Sequence, residues 1–274
     1  MGRATKAGFS KKAWGMGSSK VTDAIKHPVW ISVGTVVGVL ALVVAGFTYL
    51  RANGSSGDGL TVAAVTLGTP INLGGVEEGA TGYPEDRRPT NVSAAPVDIT
   101  FKNAGSSTAG ISSVTAQVLK GVNLNSCLQQ GAGASQILAE YALKVPARQL
   151  FDEGAAVDPV SDPIDFKVEP GETGRLAVTV GPDGQYDNNL IVMAVRLVFQ
   201  VDDGTTVETE PLVIGTTEAI IDQFVSDAAN NGSGRRYSTA TCAEQLAKIN
   251  DVTRLGESIS EPVQRLLKAY QHVS

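Results

Sequence analysis

The sequence predicts a mainly β protein, an antiparallel β-sandwich that carries a C-terminal helical appendage and follows a single transmembrane helix. Three observations predict this fold class. Apolar and polar residues alternate in several segments before residue 215, helical spacing replaces this alternation afterwards, and an uncharged apolar run precedes both regions. The chain of 274 residues, of which 42% are hydrophobic, can bury a sizeable core in one or two domains.

These observations divide the chain into five segments. They are a basic tail (1–28), a transmembrane helix (29–50), a flexible linker (51–59), a β-sandwich (60–215) and a helical appendage (216–274). The linker contains the run ANGSSGDG, which has the composition of a flexible spacer. A folded module is therefore expected to begin near Leu60.

The apolar run from Val29 to Leu50 predicts the transmembrane helix. It contains no charged residue, and its length of about 22 residues, at ~1.5 Å each, spans the ~30 Å hydrocarbon layer of a bilayer. Trp30 and Tyr49 lie near its two ends, where aromatic side chains suit the membrane interfaces. We expect this helix to contact membrane lipid.

The distribution of charge predicts the orientation of that helix. Residues 1–50 carry six cations and one carboxylate, a net charge of +5, with Lys20 and Lys26 the last cations before the run. Residues 51–274 carry 16 cations and 27 carboxylates, a net charge of −11, and only Arg51 follows the run directly. Because cations are retained on the cytoplasmic side, we expect a single-pass plasma-membrane protein with a cytoplasmic N-terminus and an extracytoplasmic C-terminal domain. An acidic exterior domain repels phosphate backbones, which argues against a nucleic-acid partner.

The alternative to a retained anchor is a cleaved signal peptide. A cleaved signal peptide has a shorter apolar region, of ~7–15 residues, and usually a shorter preceding tail, so a retained signal-anchor is favoured. Gly34 and Gly38 have the Gly-x-x-x-Gly spacing that brings transmembrane helices close together. For a retained anchor, this spacing leaves open a homodimer through the glycine face of the helix.

Period-two alternation predicts the strands of the exterior domain. A Pro170-Gly171 turn separates two strands, and Asp202-Asp203-Gly204 supplies a hairpin turn that leads into a strand from Val207 to Ile214. The run from Leu190 to Val201 is nearly all apolar, as a central strand covered on both faces would be. The inward residues of the alternating strands are expected to be Val97, Ile99, Phe101, Val114, Ala116, Val118, Leu176, Val178 and Val180.

Two of these segments resemble the strand and turn patterns of immunoglobulin-like modules on bacterial membrane-anchored surface proteins. They are VDITFKNAG at 97–105 and VEPGETGRLAVTV at 168–180. The resemblance implies an immunoglobulin-like sandwich that serves spacing or protein contact, commonly without catalysis, and it implies no particular ligand. An excursion over 121–163, which contains Cys127 and an apolar run from Ile137 to Val145, departs from such a module.

After Gly215 the spacing of apolar residues becomes helical. The first predicted helix ends at the Asn- and Gly-rich run 230–234. A second begins with Thr241 and Glu244 as a capping box, and a third opens at Pro262. Their predicted buried residues are Ile220, Ile221, Phe224, Val225, Ala228, Leu246, Ile249, Val252, Val263, Leu266, Leu267 and Tyr270.

Cys127 and Cys242 are the two cysteines of the chain, and both lie in the predicted exterior region. Oxidising conditions there allow a disulfide to persist. A bridge would close a loop of more than about 100 residues and staple the helical appendage to the sandwich. We expect the bridge, with two buried free thiols as the alternative.

The sequence offers no catalytic constellation and no cofactor motif. The exterior region contains one histidine, His272, near the C-terminus, whereas nucleophilic triads need an imidazole on a rigid scaffold and zinc sites need several ligands. The acidic stretch that includes Asp158, Asp162 and Asp165 supplies oxygen ligands of the kind that Ca²⁺ needs, without EF-hand spacing. We therefore expect a non-enzymatic protein-interaction or structural module of the cell envelope, with a binding module for a small ligand, glycan or Ca²⁺ as the alternative.

Overall fold

Strands dominate the part of the chain that the structure describes. The computed structural model describes residues 59–78, 87–125, 136–151, 156–186, 189–229 and 239–273. The strands are β1 (Leu60–Leu67), β2 (Ile71–Glu78), β3 (Arg87–Ala94), β4 (Val97–Asn103), β5 (Ala109–Asn125), β6 (Gln136–Ala139), β7 (Leu143–Val145), β8 (Val160–Val168), β9 (Thr173–Val178), β10 (Val180–Pro182), β11 (Gln185–Tyr186), β12 (Asn189–Val201), β13 (Thr206–Glu208), β14 (Leu212–Gly215) and β15 (Ser258–Ile259). The helices are α1 (Ala147–Phe151), α2 (Glu218–Ala229), α3 (Thr239–Thr253) and α4 (Glu261–Val273). The protein is mainly β with antiparallel sheets, as the alternation of its sequence predicts.

Two sheets pack against each other around the main core. One has the order β1-β4-β9, and the other has the order β15-β14-β12-β5-β8, with β13 also paired to β12. Phe101 of β4 meets the ring of Phe199 on β12 edge to face, at a centroid distance of 5.0 Å, and the ring of Phe166 on β8 at 5.9 Å. Because these rings come from opposite sheets, they join the two layers through one shared core.

The central strand β12 is covered on both of its faces. Its odd-numbered side chains from Ile191 to Val201 enter the core between the sheets. Leu190, Val192 and Ala194 point the other way and enter a second core, which the helices complete. The nearly all-apolar sequence of β12 follows from this two-sided burial, and the prediction for residues 190–201 is confirmed.

The helices α2, α3 and α4 cover the second face of β12. Helix α2 ends at Ala229, directly before the predicted stop, and α4 begins at Glu261, which places Pro262 in the first turn, where its missing N–H costs no hydrogen bond. The expected start of α3 is wrong, because this helix begins at Thr239 and Thr241 therefore lies inside it. The helical side chains of the second core are Ile220, Ile221, Phe224, Cys242, Ile249, Val252, Val263, Leu266 and Tyr270. All the described residues belong to one compact unit, Tyr49–Ser274.

The Pro170-Gly171 turn connects the two sheets, because β8 pairs with β5 while β9 pairs with β4. Gly171 has a φ of 77°, a left-handed conformation that favours glycine, and its N–H donates to the Asn103 carbonyl at 2.9 Å. Asn103 is fully buried, and its amide donates to the carbonyls of Ser107 and Val168, each at 2.8 Å. A single satisfied amide thus fastens the turn region to the loop after β4.

The hairpin at residues 202–204 forms as predicted, and Gly204 takes a φ of 86°. The strand expected from Val207 to Ile214 is instead two short strands, β13 and β14, which both pair with β12. Pro211 lies in the gap, where its lack of an N–H prevents a continuous ladder. The Thr209 hydroxyl accepts a hydrogen bond from the Leu197 N–H at 3.1 Å and replaces one rung.

The excursion over 121–163 contributes to three parts of the fold. Strand β6 joins a four-stranded sheet of order β11-β6-β2-β3, and β7 pairs in parallel with β10. Helix α1 lies against β5, where a Cβ on Gly121 would come within 2.2 Å of the Leu150 side chain. The apolar run from Ile137 to Val145 is thus two strands with a bend between them.

Arg175 of β9 and Asp98 of β4 form a two-point ion pair across the three-stranded sheet. The Arg175 Nε donates to Asp98 Oδ1 at 2.8 Å, and a terminal guanidinium nitrogen donates to Oδ2. The hydrogen bonds from Arg175 lower the pKa of Asp98, although partial burial of the carboxyl group opposes this shift. The aspartate side chain is 14% exposed and the arginine side chain 72% exposed, so solvent screens the pair.

We expect Asp98→Asn to lower the free energy of unfolding by about 0.2–1 kcal/mol at neutral pH, the range of solvent-screened ion pairs. Because the folded-state pKa is depressed, the stabilisation is present above the unfolded-state pKa and is lost as the pH falls through the folded-state pKa. Urea unfolding at neutral and at acidic pH measures the difference. Asp165→Asn is the matched control. Asp165 is 86% exposed, and one of its oxygens makes a long contact of 3.6 Å with the Lys167 ammonium group. A cost of Asp98→Asn that did not shrink in acid would contradict the ion-pair account.

Candidate functional site

The first candidate for a catalytic side chain is His272, the histidine near the C-terminus. His272 lies exposed in the last turn of α4. Within the described ranges, no group of three or more His, Cys, Asp or Glu side chains is arranged to hold a metal ion. The described residues therefore offer no candidate metal centre.

The three aspartates considered for Ca²⁺ are not brought together. Asp158 accepts a hydrogen bond from the Gln149 amide at 2.8 Å and donates its own N–H to the Gln149 oxygen at 2.9 Å. Asp162 and Asp165 lie three positions apart on β8, so their side chains leave opposite faces of the strand. Asp165 pairs weakly with Lys167 at 3.6 Å. The carboxylates serve local hydrogen bonds and surface charge in this arrangement.

Cys242 lies in α3 with no exposed surface, inside the core that the helices form with β12. Cys127 lies outside the described residues, so the bridge between the two cysteines stays a prediction. If it forms, it ties α3 to the chain just beyond the end of β5.

The predicted membrane anchor also lies outside the described residues, together with its flanks Lys20, Lys26, Trp30, Tyr49 and Arg51 and the glycines Gly34 and Gly38. Among the helices that the structure describes, none has the length and apolar character needed to cross a bilayer. The anchor, its orientation and a dimer through it remain predictions.

A shallow cavity of about 160 Å³ opens at the end of the domain where β1 begins, which we call the entry end. The Asp203 carboxylate there accepts hydrogen bonds from the Thr205 hydroxyl at 2.6 Å and the Thr205 N–H at 2.8 Å, and these bonds lower the pKa of Asp203. The polar residues that line the cavity are Ser107, Thr108, Asp202, Asp203 and Thr205. The cavity is smaller than the roughly 300 Å³ at which small-molecule pockets begin, so it gives little support to a ligand site.

The hairpin of β2 and β3 buries few of its side chains. We call it the arm, residues 71–78 and 87–94. Of its residues only Val92 and Ala94 are buried, and they pack on a small cluster with Ala139 and Tyr141. The rest of the arm has no buried side chain. A hairpin with so little core is stabilised mainly by its ladder and its attachment to β6.

Strand β3 forms the open edge of the arm. In the sheet order β11-β6-β2-β3 it is terminal, so no described strand pairs with its outer side. Arg87, Arg88, Pro89 and Asn91 are exposed along it, and Arg87 forms an ion pair with Glu78 of β2 at 2.6 Å. Charges and proline on an edge strand oppose unspecific pairing, while the open N–H and C=O groups between them remain able to accept an extended segment.

An arginine holds the start of α2 against α4 near the base of the arm. Arg265 contacts Asp222 at 2.6 Å, Glu261 at 2.9 Å and Glu218 at 3.1 Å. The second oxygen of Glu218 accepts a hydrogen bond from Ser93 of β3 at 3.3 Å. The inner end of β3 is therefore tied to the helical layer, and only its outer part is open.

Comparison with known proteins gives no relative on which to base a function. No protein-family model matches the chain, and no curated protein or solved structure matches it.

Proposed function

We propose that this chain is a single-pass membrane protein whose extracytoplasmic domain is an immunoglobulin-like β-sandwich that serves protein interaction or structural support in the cell envelope, without catalysis. The apolar run 29–50 and the charge asymmetry around it support the anchor. The two sheets that share one core, with the Pro170-Gly171 turn leading from one to the other, support the sandwich.

The observation that carries the interaction role is the open edge of β3 on the arm. An eight-residue strand with an unpaired outer side matches the geometry that proteins use to bind an extended segment by strand addition. The inner end of the strand is held by Ser93 and Glu218, so the outer part is presented on a fixed base. Such a base limits the entropy lost when a partner strand is ordered against the edge.

Photo-crosslinking in intact cells tests this role. A photoreactive residue is placed at Asn91 on the exposed side of β3, and the matched control carries it at Arg148, which is exposed on α1. We expect a discrete protein adduct from position 91 and none of that size from position 148. Equal adducts from both positions, or none from either, would contradict the arm as the site of interaction.

Protease accessibility tests the topology in the same cells. Proteinase K added outside is expected to remove a C-terminal tag from the full-length protein, because the acidic domain is proposed to lie outside the cytoplasm. Protection of the tag until lysis would reverse the orientation. The two readouts separate a wrong topology from a wrong interaction surface.

A further inference from the structure

A small notch lies where the second sheet meets the helical layer. Its lining includes the end of β14 and the first residues of two helices. These residues are Gly215, Thr216, Glu218, Ser260 and Pro262. Its volume is about 20 Å³. The notch is distinct from the entry-end cavity, and Ala94 at the inner end of β3 also lines it.

Two buried hydroxyl groups at the notch have no protein partner. Thr216 is 5% exposed and Ser260 is 4% exposed, and neither side-chain oxygen makes a hydrogen bond to a described protein atom. Their backbone N–H groups are satisfied, because the Thr216 N–H donates to the Ile191 carbonyl at 3.0 Å and the Ser260 N–H donates to the Val213 carbonyl at 2.9 Å. Buried polar side chains nearly always have a partner, so these two hydroxyls indicate that something else fills the notch.

We infer that the notch is a binding site for one ordered water molecule, which bridges the hydroxyls of Thr216 and Ser260. A water molecule needs about 10–15 Å³ of such space and two to four polar partners, and the notch supplies both. A phosphate or a sugar is too large for it. An anion would also meet the carboxylate of Glu218, which lines the same space.

The bridging water has a structural consequence for the helical layer. Thr216 continues the chain from β14, whereas Ser260 accepts a hydrogen bond from Gln264 at its carbonyl and so opens α4. The water therefore links the end of the central sheet to the first turn of the last helix. Together with the ion pairs of Arg265 between α2 and α4, it fixes the angle at which the helices meet the sheet.

Oxygen-17 magnetic relaxation dispersion on the full-length protein in detergent counts long-lived buried waters and tests the inference directly. The double variant Thr216→Val, Ser260→Ala is expected to lose one long-lived water relative to the unmodified chain. Thr115→Val is the matched control, because Thr115 is on the surface and its hydroxyl is bonded to Ser161 at 2.7 Å. It is expected to lose none.

Thermal unfolding gives a second readout whose sign decides between a wet and a dry notch. If water bridges the hydroxyls, Thr216→Val lowers the melting temperature. Ser260→Ala then lowers the melting temperature by less in the Thr216→Val background than in the unmodified chain, because the bridge is already lost. If the notch is dry, Thr216→Val removes an unsatisfied buried hydroxyl at nearly constant shape and raises the melting temperature. A raised melting temperature with an unchanged water count overturns the proposal.

Discussion

Phe101→Ala lowers the free energy of unfolding by about 3–5 kcal/mol, the range for removing a buried aromatic ring from a packed core. Phe101 has no exposed surface, and its ring contacts Phe199 and Phe166 on the opposite sheet. The substitution therefore removes the contact that joins the two sheets and leaves a cavity between them. Loss of this size is a large part of the stability of an ordinary domain.

Urea unfolding of the full-length protein in detergent, followed by circular dichroism, measures this loss. A matched pair of leucine substitutions separates burial from residue type, since Leu197 has no exposed surface and Leu255 is 43% exposed. Leu197→Ala is expected to cost about 2–5 kcal/mol. Leu255→Ala should stay within about 0.5 kcal/mol of the unmodified chain. A small effect of Phe101→Ala would mean that the two sheets are not joined through this core.

The elements with strong periodicity were predictable from the sequence because their burial is one-sided or complete. Strand β4 alternates buried and half-buried residues from Val97 to Asn103, as period-two spacing requires. Strand β12 is apolar throughout because helices cover the face that the first sheet does not. In α2 the buried residues Ile220, Ile221 and Phe224 recur at helical spacing, which predicts the element and the face that it buries.

The arm was not predicted, and its composition explains why. Strand β2 contains Gly74 and Gly75, and β3 contains Pro89, residues that normally argue against a strand interior. Pro89 is tolerated because β3 is an edge strand. Gly75 suits its position because a Cβ there would lie only 3.0 Å from the Leu138 carbonyl oxygen. Strand β2 has only a weak period-two signal, in which the apolar residues Ile71 and Leu73 flank the polar Asn72.

The notch was not predictable either, because it depends on contacts between distant parts of the chain. Thr216 and Ser260 are separated by two helices in sequence and meet only when α4 returns to the end of β14. In the sequence each residue precedes a predicted helix, a position at which serine and threonine commonly cap the first turn. Only the packed structure reveals that both hydroxyls lack a partner.

The Cys127–Cys242 bridge, if it forms as predicted, stabilises the folded domain by roughly 4–5 kcal/mol in the chain-entropy model, because it closes a loop of more than about 100 residues in the unfolded chain. Cys127→Ala removes the bridge without altering a described core position. Cys242→Ala removes it and also deletes a sulfur atom from the core around α3. We therefore expect Cys242→Ala to be somewhat more destabilising than Cys127→Ala.

The double variant decides whether the two cysteines act as a pair. With a bridge, Cys127→Ala in the Cys242→Ala background costs almost nothing further, since the cross-link is already lost, and reductant destabilises the unmodified chain alone. Without a bridge the two substitutions are additive and reductant has no effect. The urea midpoints of the four chains, with and without reductant, distinguish these cases. The first outcome also places the domain in an oxidising compartment, which the proposed extracytoplasmic location requires.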